Sequence, residues 1–481
     1  MKTLKRAVSA PAALMAFLLA LAPGLAPAQA SPWIVRGAFD DAAAFNDTAA
    51  SPDGLYAVGY LGAALTMTLP GGISVSAPYR GDNALAVRFK PDGTVAWART
   101  LASAKASTVF LCAAAVPGGL YAVARCRDPG DYDFGDGAIA SVKAEFSSVL
   151  VKYGADGKTL WAKALSDRQL VINDMAADGS GLYLAGQFSG ALPGPGGSLL
   201  NAAGKGPSAC VLRLDASGSL VWAAKMDAPA LAMYFDGLAL QGDRVYACGT
   251  ARGSGSLSLP EGKALDLSTG GRNVGILACL DSATGSTRWL AAPSMATCNT
   301  SFLKVAANEG VVAVTGGLNQ GGIVLDGGVA LSTSARSAGY LLRFSPEGKA
   351  LSGFVLEGKY ASSGSSELSG ICAAGKGFWV GGLIKNNDSY GLPGGLQATV
   401  ENYQWTGIAF RLDAAGQADR VLMADKSAPG SSGVNAFSVL PSGALFLVGG
   451  TWGPGSFSFG PGLVVEGKHS KASPFALLYL P

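Results

Sequence analysis

Histidine occurs once in 481 residues, at His469 in Gly-Lys-His-Ser-Lys. That scarcity removes His-dependent catalytic triads, His-rich metal sites and most His-ligated cofactors. Charge is sparse as well: Asp, Glu, Lys and Arg make up 14% of the chain. Past the N-terminus no apolar run approaches the ~20 residues that a spanning helix needs, so no membrane span is expected. The positive mean hydropathy, +0.30, comes instead from Ala and short apolar strands. No segment beyond the first thirty residues carries a helical period. The seven cysteines, Cys112, Cys126, Cys210, Cys248, Cys279, Cys298 and Cys372, match no zinc or haem spacing. Most lie in apolar strand-like runs and read as small buried hydrophobes. Cys112 and Cys126 flank one expected hairpin and are the candidate cross-strand pair.

The first thirty residues have the form of a secretory signal. Lys2, Lys5 and Arg6 form a basic start, Ala12 to Ala22 an apolar stretch, and Ala28-Gln29-Ala30 a small-residue cleavage site. The expected division is therefore a signal at 1–30 and one domain at 31–481, exported to the periplasm or the medium. Removing the signal takes away three basic residues and leaves 33 basic against 33 acidic. A neutral domain without a basic run is a poor ligand for nucleic acid.

What the chain has in plenty is glycine, 68 residues, and a repeat. The stretch Val149-Leu-Val-Lys-Tyr-Gly-Ala-Asp-Gly-Lys-Thr-Leu-Trp161 reads as two strands around an Asp-Gly turn. It returns with Trp97, Trp222 and Trp289. A second anchor, an apolar-aromatic pair before a small residue, centres on Tyr56, Tyr121, Tyr183, Tyr246, Val312, Trp379 and Phe446, at gaps of 65, 62, 63, 66, 67 and 67. Seven copies of four short strands predict an all-β, seven-bladed propeller. The last copy ends at Phe475–Leu480 without a fourth strand. Trp33 precedes Tyr56 by 23 residues, and Trp97 precedes Tyr121 by 24. Residues 31–38 are thus predicted to complete the last blade and close the ring, with the tryptophans packing across to neighbouring blades. The blades without Trp, around residues 340–425, are expected to be the weakest.

The unit Val-x-Arg-Leu-Asp-x-x-Gly-x-x-x-Trp resembles bacterial SBBP-type propeller repeats and the tryptophan-docking repeat of pyrroloquinoline-quinone-like propellers. Ala278-Cys-Leu-Asp-Ser-Ala-Thr-Gly-Ser-Thr-Arg-Trp289 is the copy most similar to the quinoprotein form. The resemblance implies the fold. A quinoprotein dehydrogenase would need a calcium-bound quinone pocket with a catalytic acid, and no residues here can be assigned to one.

Three groups are candidate contacts. Asn46, Asp47, Asn173, Asp174, Asp236 and Asn435 open the first strands, which line a propeller's channel, and are expected to ring its mouth. Asp131, Asp133 and Asp136 alternate near glycine in a way that suits a calcium ion; no other cofactor is expected. Tyr390, Tyr403, Trp405 and Trp452 lie in or near the long second-to-third connections, which are expected to be loops massed on one face. The resulting expectation is a monomeric, exported, non-catalytic propeller that binds a protein or cell-envelope component through that face. The alternatives are a propeller enzyme (lyase, hydrolase or quinone-dependent oxidoreductase) using channel-mouth carboxylates, and a glycan-binding propeller.

Overall fold

The computed structural model describes residues 31–36, 43–62, 66–194, 199–360, 365–386, 388–401, 403–424, 430–467 and 473–480. The expected signal, residues 37 and 38 of the closing strand, and His469 lie outside the described residues. Alternating apolar residues and Gly-containing turns produce seven four-stranded antiparallel blades. Blades one to six span residues 43–99, 108–164, 170–226, 231–291, 300–356 and 365–423. Blade seven takes three strands from 431–479, and its fourth is Trp33–Arg36, antiparallel to Ser473–Tyr479 with Trp33 opposite Leu478 and Arg36 opposite Phe475. The first strands contact one another in sequence, and that of blade seven contacts that of blade one. The chain is a seven-bladed β-propeller closed by its N-terminal strand. Pairing both ends into one sheet removes an open edge.

Trp33, Trp97, Trp161, Trp222 and Trp289 hold the blades together from outside. Each docks on the third-to-fourth turn of the next blade, over a glycine. At Gly157, with φ +83°, an added Cβ would lie 2.6 Å from Cγ of Trp97, so only glycine fits. The indole N–H of Trp97 donates to Ala155 O at 3.1 Å, that of Trp33 to Pro91 O at 2.9 Å, that of Trp222 to Ser282 O at 3.1 Å and that of Trp289 to Pro346 O at 2.9 Å. Trp161 packs on Gly218 in the same way. Blade five has no such Trp, but Arg343 donates to Ala414 O and Ala415 O, each at 2.6 Å, as Arg88 and Arg213 donate to Ala155 O and Ser282 O beside Trp97 and Trp222.

The second-to-third connections depart from expectation. They fold as hairpins, at 66–76, 130–142, 191–201, 254–268, 321–333, 389–399 and 455–467. Each inserts alternate apolar side chains between its own blade and the preceding one: Met67 and Leu69 share a core with Trp33, and Tyr132 and Phe134 share one with Trp97. The tip of the second hairpin reaches the outer strand, where Thr159 Oγ1 donates to Phe134 O at 2.7 Å. The physical reason is geometric. Flat blades radiating from an axis splay outward, and the hairpins fill the wedge. The mass expected on one face is therefore largely a belt around the wall.

Two further expectations are corrected. Tyr390 is fully buried, not exposed, because it is the inward residue of such a hairpin; its hydroxyl donates to Ser365 O at 2.9 Å. Cys112 and Cys126 are not paired. Cys126 lies opposite Thr108 and Cys112 opposite Val123, so the two stand at different levels of the hairpin, and all seven cysteines are free.

Candidate functional site

Every first strand carries a β-bulge at the same place. The register shifts between Phe45 and Asp47, Phe110 and Cys112, Ile172 and Asp174, Phe235 and Gly237, Phe302 and Lys304, Leu368 and Gly370, and Val434 and Ala436. A bulge re-aims its side chains, and here it does so seven times around the axis. The bulged residue in three blades is an asparagine that stitches to the next blade. Asn46, Asn173 and Asn435 donate Nδ2–H to Phe110 O, Phe235 O and Phe45 O, each at 2.8 Å.

The aspartates one residue on make a second stitch. Asp47 accepts from its neighbour Thr48 N at 2.8 Å and from Ala113 N of blade two at 2.9 Å. Asp174 repeats the arrangement with Met175 N at 3.0 Å and Leu238 N of blade four at 2.9 Å. Lys304 Nζ then crosses from blade five to Asp174 Oδ2 at 3.0 Å. Burial pushes Asp47 up to about 7; the Lys304 charge opposes that, and Asp174 adds to it. Asp236, itself a bulged residue, is raised to about 7 by burial against the same lysine. Burial disfavours the Lys304 charge, but Asp174 and Asp47 outweigh it and hold Lys304 above its usual range. A cavity of about 130 Å³ remains beside Asp47, Asp174, Lys304 and Asn435.

The first and third strands run from the side where the second-to-third and fourth-to-first connections emerge, here called the connection side. Near its channel mouth a cleft of about 340 Å³ lies between blades two, three and four, lined by Arg125, Phe146, Gln169, Gln187, Tyr234 and Asp236. A second, of about 250 Å³, is lined by Asn273, Asn299, Ser301, Asn319 and Ser337. The opposite, turn side has cavities of about 610 and 790 Å³ that meet at Ala373 and Gly375 of blade six, the first reaching to blades seven and one and the second to blades five and four.

The six channel residues expected from sequence therefore come together at the bulges. The aromatics do not join them. Tyr403 is exposed on the connection side, Trp405 begins the third strand of blade six with Lys385 Nζ 5.1 Å from its ring, and Trp452 packs over Gly433 and Gly450. Nor do the three aspartates of blade two converge. Asp131 accepts from Ser141 Oγ at 2.6 Å, Asp133 from Gly135 N at 2.8 Å and Asp136 from Thr159 N at 2.8 Å. Among the described residues no group of three or more His, Cys, Asp or Glu is placed to hold a metal. Lys304, Arg125, Gln169, Gln187 and Tyr234 were not anticipated. Aligning Phe302-Leu-Lys304 with Phe45-Asn-Asp47 and Ile172-Asn-Asp174 would have located the lysine.

No family model and no curated protein sequence matches the chain. Similar solved structures include the quinohemoprotein alcohol dehydrogenase of Pseudomonas putida HK5, with 12% identity, a TM-score of 0.41, and 93% of this chain and 76% of that one covered. The Dos1 propeller has 11% identity and a TM-score of 0.40, covering 93% and 94%. A europium-containing methanol dehydrogenase has 9% identity and a TM-score of 0.35, covering 93% of each. Likeness this distant assigns no activity to this chain.

Proposed function

We propose that the chain is an exported, non-catalytic propeller that binds a protein or cell-envelope component through the connection side of its ring. The observation that carries this reading is the use to which the channel carboxylates are put. Both oxygens of Asp47, and both of Asp174, accept backbone N–H groups, and each pair of bonds reaches the next blade. A carboxylate engaged in this way holds strands in register; a general acid or base needs a free oxygen within reach of its substrate. What the connection side offers instead is surface: clefts lined mainly by amide and hydroxyl side chains, with Asp236 in one and Glu367 in the other, and exposed rings at Phe146 (42%), Tyr360 (60%) and Tyr403 (72%) on its connections. Aromatic anchors among polar groups are the composition of recognition surfaces.

The test is retention of components from envelope extract by immobilised protein, beside a variant in which Phe146, Tyr360 and Tyr403 are all serine. A component held by the first and lost by the second supports the reading. Equal retention contradicts the face, and substrate turnover that Asp236→Asn abolishes contradicts the non-catalytic assignment.

A further inference from the structure

We propose that the cleft between blades two, three and four is a glycan site selective for a sugar bearing a carboxylate, with Arg125 receiving the acid and the Phe146 ring receiving the flat face of the pyranose. This rests on the binding reading above and gives it a ligand class.

Three features of the cleft lead there. Four of its polar side chains are unspent, while Asn173 is bonded to Phe235 O and to Asp236. Among the described residues, the guanidinium of Arg125, the amides of Gln169 and Gln187 and the hydroxyl of Tyr234 make no hydrogen bond or ion pair, though all four line one hollow of about 340 Å³. That volume is at the small end of the range for ligand pockets, ~300–1,000 Å³, and suits one or two sugar rings. The second feature is the backbone of Phe146. Its φ is +52°, a conformation that a bulky side chain rarely adopts, and its N–H is tied to Arg127 O at 2.9 Å. A glycine would hold that conformation without strain. The chain instead keeps a half-exposed ring there, at the rim of the cleft. Strain held at one exposed aromatic points to a role for the ring itself. The third is the order of charges. Arg125 makes no ion pair with Asp236, whose charged neighbours are Lys304 and Asp174. The cleft therefore has a free cation at one part of its wall, amides elsewhere, and at its inner end the Asp236 carboxylate, which accepts from Asn173 Nδ2 at 3.3 Å and which an anionic ligand must face away from.

These groups set the chemistry of the ligand. Primary amides both donate and accept, which matches vicinal hydroxyls. An aromatic face covers the C–H side of a pyranose. A planar guanidinium takes a carboxylate through two parallel N–H···O bonds. A peptide partner would use an apolar pocket for an anchor side chain, and this cleft has none.

The experiment is calorimetric titration of the protein with glucuronate, with oligomers of a polyuronate, and with neutral oligomers of glucose. The uronate oligomers should bind and the neutral ones should bind at least tenfold more weakly. Arg125→Gln should weaken uronate binding about ten- to hundred-fold, with the loss shrinking at high salt, and leave the weak neutral binding unchanged. Phe146→Gly separates recognition from folding. It relieves the backbone, so the urea midpoint should hold or rise while affinity falls. Glucuronate binding as tightly as the oligomers would assign the site to a free sugar acid; tighter oligomer binding assigns it to a polysaccharide. Uronate binding unaffected by Arg125→Gln overturns the proposal, as does neutral sugar binding equally well. If no sugar binds but the protein still retains an envelope component, the glycan assignment fails and the broader binding reading stands. Capture of an acidic peptide in place of the sugar overturns it in favour of a protein ligand.

Discussion

Replacing Trp33 with alanine should loosen the ring at one place. Trp33 is half-buried, stacks against Phe89 and Phe446 at centroid distances of 5.6 and 6.1 Å, and donates to Pro91 O. Truncating a fully buried Trp costs about 3–5 kcal/mol. Trp97, only 5% exposed, belongs in that range. Trp33 loses less burial, so about 2–3 kcal/mol is expected for the side chain alone. The two sites differ in how far the damage spreads. Trp97 sits on a strand joined to its blade by a short turn, whereas Trp33 sits on four residues that no turn joins to blade seven; strand pairing, the Phe446 contact, Ile34 in the core and an Arg36 bond to Glu466 O hold them there. Losing Trp33 should therefore release the strand. Hydrogen exchange should quicken across Ser473–Tyr479 in Trp33→Ala and stay slow there in Trp97→Ala, while both variants lower the urea midpoint. Unchanged exchange at Ser473–Tyr479 in the Trp33 variant would refute closure of the ring by this strand. So would a deletion of 31–36 no more harmful than an equal deletion from a hairpin tip.

Gly157→Ala places a methyl 2.6 Å from Trp97 at φ +83°, whereas Gly242→Ala, at φ +60°, meets nothing within 4 Å. The second should cost about 1–2 kcal/mol from backbone conformation alone and the first clearly more, by urea midpoint. Asp47 and Asp236 give a pH dependence of definite sign. Both are raised to about 7, so between about pH 4 and 7 the folded chain holds protons that the unfolded chain has lost. Stability should fall as pH rises through that window, and Lys304, charged throughout, does not alter the sign. Lys304→Met removes the cation that faces Asp47 and Asp236 as well as Asp174; it should cost about 3–5 kcal/mol near pH 8, where Asp47 and Asp236 are charged, and less near pH 5, where they are protonated. A loss equal at both values would contradict the channel network. The thiols of Cys112 and Cys248 are buried and held well above their usual range. Neither should react with a thiol reagent until the protein unfolds, which mass spectrometry of labelled peptides would detect.

Much of this architecture was legible because it repeats. The spacing of Tyr56, Tyr121, Tyr183 and Tyr246 marks one strand per blade, and the same spacing places Trp33 ahead of Tyr56 although its partner strand lies at the far end of the chain. The wall hairpins were harder to see. Each is short, and its signal is two apolar residues in alternation, as in Tyr132 and Phe134 or Phe457 and Phe459, set among Gly, Pro and Ser that read as loop. Tyr390 was misplaced for that reason. At the channel, Asn46-Asp47 and Asn173-Asp174 drew notice as polar pairs in apolar strands. Lys304 did not, because lysines alternate with apolar residues in many solvated strands. Its role depends on a bulge, and bulges leave no mark in a single sequence. The clefts escaped notice altogether, since Arg125, Gln169, Gln187 and Tyr234 come from three blades and meet only when the ring is closed.

Recognition on the connection side is tested most directly by hydrogen exchange of the whole protein, free and saturated with its retained envelope component or with polyuronate oligomers. Protection is expected at 143–147, 168–173 and 232–236, around the cleft mouth. Protection confined to 308–311 and 373–376, on the turn side, would contradict it.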